Sequence, residues 1–235
     1  MALGQLFLLP VPLGETPISQ VIPSYNLEVI QTLSEFIAED IRSARRHLKQ
    51  MGILQPLDTL LIHEIGKHSD ESRYDSYLNA ALEGKNIGLL SEAGCPGVAD
   101  PGAAIVQRAF SKNIRVIPLS GPSSILMALM ASGSNGQSFV FHGYLPIEKS
   151  DRSRKIKEME LHARQKNQTQ LFMEAPFRND KLFDDLMGEC KGDTELCIAC
   201  DITLPTQYIE RKSISNWKLK KPALHKRPAI FLICC

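Results

Sequence analysis

Ser91-Glu-Ala-Gly-Cys-Pro-Gly-Val-Ala-Asp-Pro-Gly102 decides how this 235-residue chain is read. Three glycines, two prolines and the carboxylates Glu92 and Asp100 share twelve residues, more than a plain turn needs. Glycine lets a ligand approach the backbone, and proline holds a loop's shape before anything binds. The apolar run Asn86–Leu90 precedes the segment and the helical pattern Ala103–Phe110 follows it. It therefore reads as a ligand loop at the carboxyl end of a strand. Two further segments have the same setting, Pro10-Val-Pro-Leu-Gly14 at the end of Gln5–Val11 and Ser120-Gly-Pro-Ser-Ser124 after Ile114–Leu119.

Working outward, short apolar runs alternate with longer helical stretches. Strands are expected at Gln5–Val11, Glu35–Ala38, Thr59–His63, Asn86–Leu90 and Ile114–Leu119. Helices are expected at Asn26–Leu33, Arg42–Met51, Asp75–Leu82, Ala103–Phe110 and Ile125–Ala131, the last capped by Ser123 or Ser124. Strands separated by helices imply a Rossmann-like parallel sheet with helices on both faces. Continuous apolar strands such as Ile114–Leu119 imply burial on both sides. Phe139–His142 and Gly143-Tyr144-Leu145-Pro146 read as a link, with His142 structural, and a domain boundary is expected near residue 140. Beyond it come a charged helix (Arg152–Gln165), a strand (Thr169–Met173) and a helix (Lys181–Met187). Three strands then follow with little helix between them: Glu195–Cys200, Gln207–Lys212 and Ala229–Cys234. Consecutive strands pair antiparallel, so residues 141–235 are expected to form a smaller α/β domain with a mixed sheet after an N-terminal domain of residues 1–140.

Hydrophobic residues make up 43% of the chain, enough for a packed core. The net charge of +1 divides unevenly, −3 over residues 1–141 and +4 over 142–235. Arg211–Arg227 carries seven basic residues and no acid. That stretch either holds phosphates or forms a solvated edge. The six cysteines include one CxxC spacing, Cys197-Ile-Ala-Cys200, inside an apolar strand pattern, so core packing is expected there and no metal site. No apolar run approaches the ~18 residues of a membrane helix. The apolar start lacks a basic region, the first Arg or Lys being Arg42, so a cytoplasmic protein is expected. None of the three loops matches GxGxxG or GxxxxGK[ST], which disfavours dinucleotide and P-loop sites. Carboxylates in place of a phosphate-binding lysine suit a cationic or hydroxyl-bearing ligand.

The order and content of these segments resemble the tetrapyrrole methylase superfamily, and within it the branch of ribosomal small-subunit RNA ribose-2′-O-methyltransferases I. Gln5-Leu-Phe-Leu-Leu-Pro-Val-Pro-Leu-Gly14 resembles the branch's opening strand and TPIG loop, and Ile37-Ala-Glu-Asp-Ile-Arg42 its AEDTR segment. Leu90–Gly102 resembles VSDAGTPxxxDPG, and Val116-Ile-Pro-Leu-Ser-Gly-Pro-Ser123 resembles VxPxPGPS. Gly143-Tyr-Leu-Pro146 resembles GFLP, and Met173-Glu-Ala-Pro-Phe-Arg178 resembles YEAPHR. The resemblance implies S-adenosylmethionine held between two domains, in a homodimer acting on RNA of the small ribosomal subunit. Carried onto this chain, cofactor contacts fall on Pro12, Leu13, Gly14, Ser91, Glu92, Ala93, Gly94, Ser120, Gly121, Ser123, Ser124 and Leu145. The acceptor side falls on Arg42, Lys149, Arg152, Arg154 and Arg178. A ribose hydroxyl is a poor nucleophile at neutral pH, so a base is sought, and the candidates are Glu174 and Asp40. The competing structural roles are a salt bridge from Glu174 to Arg178 and a helix N-cap at Asp40.

The chain also departs from the branch. Val11 stands for its Thr, Glu15 for its Asn, Glu92 for the SDAG aspartate and Phe177 for the YEAPHR histidine. Cys200-Asp-Ile-Thr-Leu-Pro205 replaces RExTK, Lys226-Arg-Pro228 replaces KGE, and the helical tail of many members is lacking. Three functions stay open: an RNA ribose methyltransferase, a small-molecule methyltransferase for a tetrapyrrole-like ring, and a non-catalytic RNA-binding or ribosome-binding relative.

Overall fold

A computed structural model describes residues 2–66 and 69–234. The chain separates into two compact units, Met1–Ser123 and Ser124–Cys235. In the first, β1 (Gln5–Leu9), β2 (Glu35–Ala38), β3 (Leu61–Glu64), β4 (Ile87–Leu90) and β5 (Arg115–Pro118) form one sheet in the order β3-β2-β4-β1-β5. Every pairing in it is parallel. The helices of this unit are α1 (Ile18–Val21), α2 (Ser24–Gln31), α3 (Ile41–Gln50), α4 (Asn79–Leu82) and α5 (Ala103–Ser111).

Side chains alternate across the strands, so each strand feeds two cores. Leu6, Ile37 and Leu89 pack with Ile105 and Ala109 of α5. Phe7, Leu9, Phe36 and Leu90 pack with Val29 and Ile30 of α2 and with Ala44 and Leu48 of α3. This is the expected parallel sheet with helices on both faces. Its central strand, β4, is buried throughout, and at Gly88 a Cβ would lie 2.7 Å from both Leu9 and Phe36 side chains. Ile114–Leu119 does face both cores, Ile114 and Val116 on one side and Ile117 and Leu119 on the other, but β5 is an edge strand with Arg115 and Pro118 exposed, so Val116 and Ile117 are only partly buried. The expected helix Asp75–Leu82 is a 3-10 turn at Ser76–Leu78 running into the short α4.

In the second unit the helices are α6 (Ser124–Ser132), α7 (Lys149–Lys166), α8 (Asn179–Glu189) and α9 (Ile214–Trp217). The strands are β6 (Phe139–Tyr144), β7 (Thr169–Met173), β8 (Glu195–Cys200), β9 (Tyr208–Ser213) and β10 (Ala229–Cys234), ordered β6-β7-β10-β8-β9. Only β6 and β7 pair in parallel, so this is the expected mixed sheet. α6 packs on β8, β9 and β10, which is why it groups with this unit although it precedes residue 140. The segment read as a link is an edge strand, β6, with Gly143 at φ +66° where the register shifts. The Gly-Tyr-Leu-Pro sequence suggested a loop because that one irregular position hides the alternation before it. His142 donates to or accepts from Gln170 Oε1 across β6 and β7 at 2.8 Å, a structural contact.

Cys197 and Cys200 are fully buried in β8, and burial pushes their thiols up to about 12 and about 11. Both stay protonated at neutral pH, and the described residues contain no group of three or more His, Cys, Asp or Glu able to hold a metal. Cys235 lies outside the described residues. No described helix is long and apolar enough to cross a membrane.

Candidate active site

The three Gly/Pro-rich loops follow β1, β4 and β5, which are neighbours in the sheet, so their carboxyl ends bring the loops together. Main-chain bonds join the first two: Val11 N donates to Gly94 O at 2.9 Å and Gly94 N to Val11 O at 3.1 Å. Cys95 Sγ donates to the Pro122 carbonyl at 3.3 Å, linking the second loop to the third. Asn26 Nδ2 donates to Ser120 O at 2.8 Å, tying the third loop to α2. Gly121 lies against Pro10, where a Cβ would come within 2.1 Å of the Pro10 Cβ.

Within Ser91–Gly102 the turn closes on itself. Ser91 Oγ donates to Gly94 O, and Gly94 takes φ +73°, a region that L side chains disfavour. Asp100 Oδ1 accepts from Gly97 N at 3.1 Å and Gly102 N at 2.7 Å, so this carboxylate shapes the loop. Burial raises its pKa, opposed by those two bonds. Glu92 is exposed, as is Ala93, and the Glu92 carboxylate has no partner among the described residues. Of the two acids read from the sequence, Glu92 alone is available to a ligand.

Pro12, Leu13, Gly14 and Glu92 line an open cleft of about 880 Å³, together with Glu15 and Thr16 and with Arg46, His47, Lys49 and Gln50 of α3. That size lies within the ~300–1,000 Å³ usual for small-ligand sites. The α3 residues carry no loop signal in the sequence, because they lie in a helix body rather than at a strand end. Asp40 begins α3 as its N-cap, its carboxylate accepting from Ser43 N at 2.7 Å. That bond lowers the Asp40 pKa, burial opposes it, and the Arg42 charge adds to the lowering.

His47 is buried and its Nε2 lies 3.0 Å from the Glu92 carbonyl. A carbonyl only accepts, so Nε2 carries the proton and Nδ1 presents a bare lone pair. Nδ1 is itself buried without a partner. Burial lowers the His47 pKa from 6.5, the Glu92 bond opposes this, and the Arg46 charge adds to the lowering. A neutral buried histidine gives stability that is present above the unfolded value of 6.5 and lost as pH falls toward the lower folded value. Melting temperatures of the wild type and His47→Gln, followed from pH 8 to pH 5, are expected to converge below 6.5. A constant gap would contradict the neutral assignment.

The remaining predicted residues belong to the second unit, apart from Ser123, which closes the third loop. Ser124 starts α6, and Leu145 is buried in the core with Ile156 and Phe172. Lys149 is exposed at the start of α7. Arg154 is exposed and pairs with Asp151 at 2.7 Å. Arg152 is 4% exposed, with Nε on Asp185 at 2.7 Å and Nη1 on the carbonyls of Pro146 and Ile147 at 3.0 and 2.6 Å. Glu174 is buried, and its Oε1 accepts from Ala175 N and from Arg178 Nη2 at 2.7 and 2.6 Å. The salt bridge anticipated as its structural role is therefore formed.

A doubly wound parallel sheet with ligand loops at adjacent strand ends, and no phosphate-cradling glycine motif, defines a Rossmann-like enzyme for a small cofactor. The sequence matches the family described as Tetrapyrrole (Corrin/Porphyrin) Methylases over residues 26–217, and the chain belongs to that family. It is 33% identical to the "Ribosomal RNA small subunit methyltransferase I" of Bacillus subtilis (strain 168), over 91% of this chain and 69% of the relative. It is 28% identical to the protein of the same name from Buchnera aphidicola subsp. Schizaphis graminum (strain Sg), over 98% and 78%. Two solved structures share the fold. The methyltransferase CobJ superposes with TM-score 0.66 at 16% identity, covering 98% of this chain and 94% of its own. The uroporphyrin-III-C-methyltransferase from Thermus thermophilus superposes with TM-score 0.57 at 15% identity, covering 98% and 92%. The chain is an S-adenosylmethionine-dependent methyltransferase.

The cleft lining carries both signs of charge, the carboxylates Glu15 and Glu92 and the cations Arg46 and Lys49, a donor set that suits a ligand with an ammonium or sulfonium and a carboxylate.

Proposed function

We propose that this chain methylates a ribose 2′-hydroxyl of small-subunit ribosomal RNA, with S-adenosylmethionine held on the three stitched loops of the first unit. The cofactor supplies an electrophilic methyl group. The protein's part is to align the acceptor in line with it, shed water and receive a proton. The observation that carries the cofactor site is the Val11–Gly94 bridge, which fixes two ligand loops beside the exposed Glu92. The names of the similar proteins support the RNA acceptor.

Pro12, Leu13 and Gly14, Ser91 to Gly94, Ser120, Gly121 and Ser123 are the proposed cofactor contacts of the first unit; the family resemblance adds Ser124, which starts α6, and Leu145, whose side chain is buried in the core of the second unit. Arg42, Lys149, Arg154 and Arg178 are proposed for the acceptor, Arg152 acting through the turn it holds. Glu174 is the proposed base: both its hydrogen bonds fall on Oε1, leaving Oε2 without one. Asp40, the second candidate, has its carboxylate engaged as the cap of α3. The family resemblance supports a homodimer, and an rRNA acceptor implies work in the cytoplasm.

The test is transfer of labelled methyl from S-adenosylmethionine onto small subunits from cells lacking this protein. Label in an alkali-resistant dinucleotide is expected. Label on no RNA would overturn the acceptor. Glu92→Ala is expected to weaken cofactor binding by about 10- to 100-fold, the worth of a hydrogen bond to a charged group. The melting temperature should stay unchanged because Glu92 is exposed. Unchanged affinity by calorimetry would move the site away from this loop.

A further inference from the structure

α3 presents a cationic stripe that no run of charge in the sequence reveals. Arg42, Arg45, Arg46 and Lys49 stand at i, i+3, i+4 and i+7, the spacing of one helix face. All four are exposed, whereas Ser43, Ala44, His47 and Leu48 on the other face are buried. None of the four forms an ion pair with any described acid. Arg42 meets one only through its field at the Asp40 cap. Like charges three and four residues apart repel, so the stripe destabilises the helix that carries it. Arg46 and Lys49 also line the cleft beside the cofactor loops.

The basic stretch of the second unit behaves differently. Arg211 pairs with Glu195, Lys212 with Glu210, Lys221 with Asp184 and Arg227 with Asp201. Four of its seven cations are thus neutralised at home, and α3 carries the larger contiguous unpaired charge.

We propose that the exposed face of α3 is a phosphate track that holds the RNA backbone beside the cofactor cleft. This rests on the RNA reading above and says where the strand lies. From Arg42 to Lys49 the stripe runs about 10 Å, the rise of about three stacked nucleotides. A basic amphipathic helix can also bind an anionic membrane, but only by burying its apolar face in lipid. In α3 that face is committed to the protein core with Leu9, Phe36 and Leu90, which leaves the polyanion.

The test uses the full chain and a 20-nucleotide single-stranded RNA, with affinity followed by fluorescence anisotropy across salt concentration. Arg45→Gln/Arg46→Gln/Lys49→Gln is expected to weaken binding at low salt at least tenfold. The slope of log K against log salt should flatten by about 2, at roughly 0.7 per lost contact. Arg45→Gln alone lies outside the cleft lining and should flatten it by about 0.7 with cofactor affinity by calorimetry unchanged. A triple variant with the wild-type slope, while the wild type still binds RNA and labels subunits, overturns the track and leaves the function standing. A wild type that neither binds nor labels RNA overturns the function, and the track with it. Loss of retention on phosphatidylserine vesicles with RNA binding intact overturns the track in favour of a membrane surface.

Discussion

Gly121→Ala is expected to cost the fold about 1–3 kcal/mol and to raise the dissociation constant for S-adenosylmethionine at least tenfold. The new methyl would stand 2.1 Å from Pro10 Cβ and 2.7 Å from Pro10 Cγ. A proline ring has no rotamer to move out of the way. Pro10 itself follows β1, which is paired on one side with β4 and on the other with β5. Relief must come from the Ser120–Ser124 loop, whose ties to Asn26 and Cys95 then stretch. The damage therefore centres on the loops proposed to hold the cofactor, and calorimetry and a thermal melt should both record it. Gly188→Ala is the control of opposite sign. Nothing lies within 4 Å of its new methyl in α8, and alanine favours a helix by about 0.5–1 kcal/mol. Equal behaviour of the two variants would refute the packing argument.

Arg152→Ala is expected to destabilise the protein by about 3–5 kcal/mol, because it removes one partner of a buried ion pair. At the usual conversion for a chain of this size, the melting temperature falls by about 10 °C. Asp185, 16% exposed, keeps a charge with little water to solvate it. The turn at Pro146 and Ile147 loses its clasp at the end of β6. Arg154→Ala, two residues along, removes an exposed side chain whose pair with Asp151 contributes little, so the melt should not move. An acceptor effect in Arg154→Ala and a stability effect in Arg152→Ala would separate two arginines that sequence alone assigns one role. A normal melt for Arg152→Ala would restore it as a contact to RNA.

That pair of arginines shows where reading the chain succeeds and where it stops. The loops at the strand ends were legible because glycine and proline carry their meaning locally, and the short apolar run Gln5–Val11 bounded by Pro12 and Gly14 read directly as a strand. Arg152 was not legible because its partner lies 33 residues away on another helix. The same holds for Arg211–Arg227, whose acids come from β8, α8 and the turn after β8. The stripe on α3 escaped for the opposite reason. Its charges are local, but they are seen only when counted with the helical period rather than along the line. β5 shows a third limit: an apolar run reports burial by neighbours and does not say whether those neighbours are strands.

The three Gly/Pro-rich loops are held largely through bonds that end on main-chain carbonyls. The Val11–Gly94 bridge is backbone on both sides, and Ser91, Asn26, His47 and Cys95 each reach a carbonyl. A carbonyl is common to every residue type, so the accepting side of these bonds survives a change of side chain, whereas Ser91, Cys95 and Asp100 hold the path through side chains of their own. That makes the departures at Val11, Glu15 and Glu92 compatible with an intact donor site. The backbone tolerates least change at Gly94, with its positive φ, and at Gly121, which lies against the ring of Pro10.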